Sequence, residues 1–213
     1  LFPSEIVVED GNSVFRIVDG LLINTETQEL VLSETGVEDV VIPDGVRFIT
    51  RAAFFKRNLT AIQLPNSLQE IGDYAFAKCD QLQKVDLPDS VEKIGIRAFS
   101  MCYLLENIKL SMNIRVIADF AFNECGIKYV EIPKNVYEVG QGAFRDCEQL
   151  KRVILPDGLQ TIGMISFSNC KQLEDINFPA GLEVIEEQAF CDCDSLKQVI
   201  LPDSLQAIGN KAF

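Results

Sequence analysis

The sequence predicts an α/β repeat array, a solenoid of stacked coils behind a β-rich N-terminal cap. Three columns of residues carry the prediction. Phe recurs at Phe54, Phe76, Phe99, Phe122, Phe144, Phe167, Phe190 and Phe213, at intervals of 22, 23, 23, 22, 23, 23 and 23 residues. Pro keeps the same beat at Pro43, Pro65, Pro88, Pro133, Pro156, Pro179 and Pro202, with Ser111 in the missing place. Cys79, Cys102, Cys125, Cys147, Cys170 and Cys193 each follow a column Phe by three residues. Three columns in phase mark an internal repeat, the sequence feature that decides the whole fold.

Residues 1–36 stand outside the repeat and form the expected cap. Residues 14–18, 21–24 and 29–32 read as short strands, joined by turns at Asp19-Gly20 and at 25–28. Residues 37–213 form an array of about eight units. These begin at Val37, Leu59, Leu82, Leu105, Ile127, Leu150, Leu173 and Leu196, and the last is incomplete. In the third unit Val85 and Leu87 alternate with Lys84 and Asp86, a period of two that predicts a half-buried strand. Pro88 ends it, because Pro cannot donate to a continuing ladder. Asp89-Ser90 supplies turn chemistry, and Gly95 suits a backbone turn that a Cβ would hinder. Ile94, Ala98, Phe99 and Cys102 then follow at helix-like spacing, long enough for a turn or two. Each unit is a strand, a turn and a helical or irregular return segment. No unit buries its own apolar edge, whereas stacked neighbours do. The two 22-residue units lose their residue between the Phe and the next strand, in a connecting loop.

The pattern Leu-x-x-Val-x-Leu-Pro-x-x-(Leu/Val)-x-x-Ile-Gly-x-x-Ala-Phe-x-x-Cys over residues 37–213 resembles the BspA-like leucine-rich repeat. That family is common in bacterial surface proteins and occurs in some protists. The resemblance implies a right-handed leucine-rich-repeat solenoid, curved or nearly straight, with one parallel β-sheet. It also implies a secreted or cell-surface location and a host or matrix protein as partner.

Composition narrows the function classes. The 213 residues hold 19 Lys+Arg against 32 Asp+Glu, a formal net charge of -13, which weighs against a broad phosphate-binding surface. A hydrophobic content of 47% argues against disorder. No run of about 18 apolar residues is present to insert in a membrane. The chain has no His, which removes the commonest general base and the commonest metal ligand. No catalytic residue, metal ligand or cofactor is therefore assigned, and the chain is read as a non-enzyme. Leu1 opens the chain without a basic region and apolar core behind it. That leaves a removed targeting segment or an excised fragment as alternatives.

The columns themselves report fold. The Phe column is expected to be a buried stack. The Cys column is expected to be a file of buried thiols rather than disulfides, because parallel side chains on neighbouring coils keep their Cβ atoms about 4.8 Å apart. Cys191 falls in a mixed column with Phe55, Ala77, Ser100, Asn123, Arg145 and Ser168, expected near the surface. Arg57 stands where later units carry Cys and is expected on a partly covered first coil. The Asp after Pro at Asp44, Asp89, Asp157 and Asp203 is read as turn chemistry, since Met112, Lys134 and Ala180 interrupt any carboxylate file.

A ligand is expected on the sheet face, a step that rests on the resemblance. Parity places Asp39/Val41, Ala61/Gln63, Lys84/Asp86, Asn107/Lys109, Tyr129/Glu131, Arg152/Ile154, Asp175/Asn177 and Gln198/Ile200 outward. Three bases and four acids leave this face near neutral, while seven acids and one base give residues 1–36 a charge of −6. A face of mixed sign suits a protein partner better than nucleic acid. Tyr129, Glu131, Arg152 and Ile154, flanked by Lys109 and Asp175, form its expected centre, because Tyr and Arg are frequent interface anchors. The leading expectation is a protein-interaction module, and the alternative is a structural spacer with no ligand of its own. The final unit ends at Phe213 without a polar terminal coil. Either the natural protein continues there or the open coil associates end to end.

Overall fold

The computed structural model describes residues 5–213; residues 1–4 of the expected cap lie outside the described residues. Three antiparallel strands open the fold: β1 (Phe15–Val18), β2 (Leu21–Asn24) and β3 (Glu29–Ser33). Asp19 and Gly20 both take positive φ, 48° and 74°, in the two-residue turn between β1 and β2. Asn24 Oδ1 accepts the N–H groups of Glu26 and Thr27 and closes the second turn. Leu21, Ile23 and Leu30 are buried against the first coil.

The coils carry two files of parallel strands rather than one sheet. The front file comprises Asp39–Val41, Ala61–Gln63, Lys84–Asp86, Asn107–Lys109, Tyr129–Glu131, Arg152–Ile154 and Asp175–Ile176. The back file comprises Phe48–Ile49, Glu70–Ile71, Lys93–Ile94, Val116–Ile117, Glu138–Val139, Thr161–Ile162, Val184–Ile185 and Ala207–Ile208. Strand β3 pairs in parallel with Phe48–Ile49, so the cap continues the back file. The eighth unit has a back strand but no front strand; Gln198 and Ile200 lie in irregular chain.

The return segment therefore departs from expectation. No helix occurs among the described residues. Ile94 extends because its backbone pairs with Glu70–Ile71 of the coil before. Gly95 then donates to Ile71 O at 2.7 Å. A Cβ at Gly95 would lie 2.5 Å from Asp73 N, so close stacking demands glycine there. Beyond it, Arg97 and Met101 take φ of 55° and 62°, two residues either side of Phe99. The same positions are left-handed in the neighbouring units, at Tyr74 and Lys78 and at Phe120 and Glu124. Left-handed residues at this interval break helix propagation. They turn alternate N–H groups toward the next coil, and Phe76, Phe99 and Phe122 donate to Ala98 O, Ala121 O and Ala143 O at 2.7–2.9 Å. A third ladder thus runs down the Phe side.

The core is the sum of the columns. Phe54 to Phe190 are buried to within 1% exposure, and successive rings stack with centroids 5.0–5.5 Å apart. Beside them each column thiol donates to the Phe carbonyl of the preceding coil, as Cys102 Sγ does to Phe76 O at 3.2 Å. Arg57 overturns its expectation. It is 4% exposed, and its guanidinium donates to Ser33 O (2.6 Å from Nη2) and Ser33 Oγ (3.0 Å from Nε). It reaches back to the preceding chain as the thiols do, but its longer side chain spans to the cap.

Candidate interaction surface

Strand parity alone positions this surface. In each front strand the central residue enters the core and its two neighbours point outward. All sixteen outward positions, from Asp39 to Ile200, are exposed. The parallel register then sets the neighbours. Tyr129 lies beside Arg152 and Arg152 beside Asp175, while Glu131 lies beside Ile154. Lys109 lies beside Asp86. Tyr129 and Ile154 keep 45% and 37% of their surface in solvent, a large exposure for such side chains within a regular sheet.

Four of the six expected residues meet in one depression. Lys109, Tyr129, Glu131 and Ile154 line a groove of about 660 Å³ at the C-terminal ends of the front strands. Arg152 and Asp175 do not line it; they continue the outward row on the strands beside it. Sequence reading missed the far wall, which is built by Met112, Lys134 and Asp157 in the turns after the strands. In sequence Met112 and Lys134 interrupt the file of Asp residues after Pro, and Asp157 belongs to it. Leu110, Ile132 and Leu155, the inward residues that follow each front strand, form its floor. Ser111 in place of Pro marked the spot in sequence. Its Oγ accepts from Asn113 N–H at 3.2 Å and reshapes the turn that carries Met112.

The charges around the groove are largely free to meet a partner. Tyr129 Oη donates to Glu131 Oε2 at 3.5 Å, a long bond. Lys84 is tied to Asp86 at 2.7 Å. Among the described residues neither Lys109 nor Arg152 has a carboxylate within ion-pair distance. The groove combines an apolar floor with the exposed side chains of Tyr129, Ile154 and Met112.

Other chemistry-bearing groups are absorbed by the fold. A second depression, of about 540 Å³, opens at Gly126, where the short unit lacks a residue. Its carboxylates are engaged: Asp146 pairs with Arg145 at 3.1 Å and Glu148 with Lys171 at 2.8 Å. Cys191 and Cys193 do not act as a pair. Cys193 is buried and donates to Phe167 O at 3.2 Å, and burial pushes its thiol up to about 12. Cys191 is half-buried, and partial desolvation and Asp192 raise its thiol too. No group of three His, Cys, Asp or Glu that could hold a metal ion occurs among the described residues. Among the described residues no helix is long and apolar enough to cross a membrane.

Comparison with known proteins follows the same geometry. Residues 25–151 and 116–213 match the model of the BspA type leucine rich repeat region, in 6 copies. The fold is similar to that of a leucine-rich repeat protein from Bacteroides ovatus ATCC 8483. The two share 32% identity and a TM-score of 0.81, over 96% of this chain and 55% of that one. A leucine-rich repeat protein of T. pallidum shares 28% identity and a TM-score of 0.74, over 89% of this chain and 91% of that one. A leucine-rich repeat protein from Eubacterium ventriosum ATCC 27560 is alike in fold, with a TM-score of 0.67 at 21% identity, over 96% of this chain and 50% of that one. The chain thus spans about half the length of the Bacteroides and Eubacterium proteins. None of the curated proteins matches it.

Proposed function

The chain belongs to the BspA-type leucine-rich repeat family, and on that footing we propose that it is a non-catalytic protein-interaction module of a secreted or cell-surface bacterial protein. Its partner is a protein, of the host or matrix kind, bound on the front sheet face. The observation that carries this reading is the groove, where Tyr129, Ile154 and Met112 stand exposed over an apolar floor between unpaired Lys109 and Lys134. Tyr129, Glu131 and Ile154 supply the centre, with Arg152 and Asp175 on the adjoining strands. The surface location is drawn from the family. The lack of His supports the non-catalytic part.

A second reading has its own support. The core and the Phe-side ladder run without interruption from Phe54 to Phe190, which suits a spacer that holds another domain away from its anchor. Capture of extracellular proteins on the immobilised domain, with lysine cross-links mapped by mass spectrometry, separates the two. Cross-links from Lys109 and Lys134 support the binder. Contacts confined to other faces overturn it, and no captured protein favours the spacer.

A further inference from the structure

The fourth coil, residues 105–126, combines three departures from the pattern of the array. Ser111 stands where the other seven units carry Pro, and Ala118 stands where five units carry Gly. Gly126 marks the missing residue. The hydrogen bonding changes at the same place. Every neighbouring pair of back strands is joined except Lys93–Ile94 and Val116–Ile117, the pair that flanks the junction of the third and fourth coils.

Only one of three sides is open there. On the front, Lys84–Asp86 remains in register with Asn107–Lys109. On the Phe side, Arg97, Phe99 and Met101 donate to Asp119 O, Ala121 O and Asn123 O at 2.8–3.0 Å. A Cβ on Gly95 would meet backbone of the preceding coil at 2.5 Å, and Ala118 carries such a Cβ at the corresponding place. Glu186 also carries one and keeps its bond to Ile162 O at 2.9 Å, so the methyl acts together with the altered turn at Ser111.

We propose that the array bends at this junction, residues 37–104 moving against residues 105–213 by opening on the back. The Phe-side ladder is the hinge line, and the unpaired back strands are the mouth that opens and closes. Bending there alters the curvature of the front face between Asp86 and Lys109, beside the groove. The front file is interrupted too, between Ala61–Gln63 and Lys84–Asp86 and between Asn107–Lys109 and Tyr129–Glu131, but the back ladder holds at both of those junctions, so opening of the back collects between the third and fourth coils.

Spin-label distances test this in a Cys191→Ser background. Glu92→Cys/Glu183→Cys spans four coil intervals on the back and crosses the junction. Arg115→Cys/Gln206→Cys spans four intervals without crossing it. The crossing pair should give a distance distribution about twofold wider. Adding Ser111→Pro and Ala118→Gly should narrow it to the width of the other pair. Equal widths in the unmodified array overturn the hinge. A wide distribution that the two substitutions leave unchanged overturns its assignment to Ser111 and Ala118.

Discussion

The thiol of Cys125 donates to the carbonyl oxygen of Phe99, one coil earlier, across 3.1 Å. The same bond recurs from Cys79 to Cys193. It assigns the column a physical task, since a small, nearly apolar donor satisfies a buried carbonyl without the cost of burying a charge. It also makes these thiols inert. Native protein treated with a maleimide should label at Cys191 alone, and denatured protein without reductant should show seven free thiols. Rapid native labelling of Cys125 or Cys147 would contradict the assignment.

The column should also set a pH limit. Burial pushes the Cys147 thiol from 9.0 up to about 12. The unfolded chain loses this proton first, as pH passes about 9, while the folded chain holds it. Stability contributed by the protonated thiol is therefore fully present below pH 9 and is lost as pH rises toward 12. Urea midpoints should be flat from pH 7 to 8.5 and fall from pH 9 to 11. Replacing Cys147 by Ala should make that fall shallower.

Phe122→Ala should destabilise the array by about 3–5 kcal/mol. The ring is fully buried between Phe99 at 5.5 Å and Phe144 at 5.4 Å, and neither neighbour can fill the void while its own ladder bonds hold. Chemical denaturation reads the effect directly, and a loss under about 1 kcal/mol would disprove the stack's role.

Gly95→Ala should cost about 1–3 kcal/mol by overpacking, because the new methyl meets Asp73 N and Gly72 C. The opposite change, Ala118→Gly, removes the Cβ from a coil that lacks the glycine. It should cost less than Gly95→Ala. The reverse order, by thermal or urea unfolding, would show that the stacking distance is set elsewhere.

Arg57→Leu should uncouple the cap from the array. It removes the charge-assisted bonds to Ser33, worth about 1.5–3 kcal/mol. Hydrogen exchange should rise in β1 to β3 before it rises in the coils. Equal protection throughout would count against this tie.

Tyr129→Ala/Arg152→Ala should leave the free energy of urea unfolding within about 0.5 kcal/mol of the parent, since both side chains are exposed. Affinity for a partner captured on the front face should fall at least about tenfold. Unchanged affinity would remove these residues from the binding centre.

Why some of this was readable in sequence and some was not follows from the periods involved. Lys84-Val85-Asp86 alternates, so the strand and its outward residues declare themselves, and every outward position found by parity is exposed. Ile94 belongs to a two-residue strand, too short to show a period, whose partner Ile71 lies 23 residues earlier. The back file was invisible for that reason. Arg97 and Met101 carry no sequence sign of their left-handed backbone, and Ala98, Phe99 and Cys102 imitate helical spacing while the ladder to the next coil forbids it. Arg57 was misplaced because its partner, Ser33, lies in the cap rather than in the repeat. The groove's far wall was missed because Met112, Lys134 and Asp157 come from three turns that differ in sequence and meet only through stacking.

The constant step between stacked rings has a further consequence. Each Phe meets its neighbours in the same way at 5.0–5.5 Å, whichever coil it belongs to. Duplicating or excising a whole unit would therefore lengthen or shorten the molecule by one step and leave every remaining joint intact. Reach is a quantity such a chain can change by recombination alone, independently of what its face recognises.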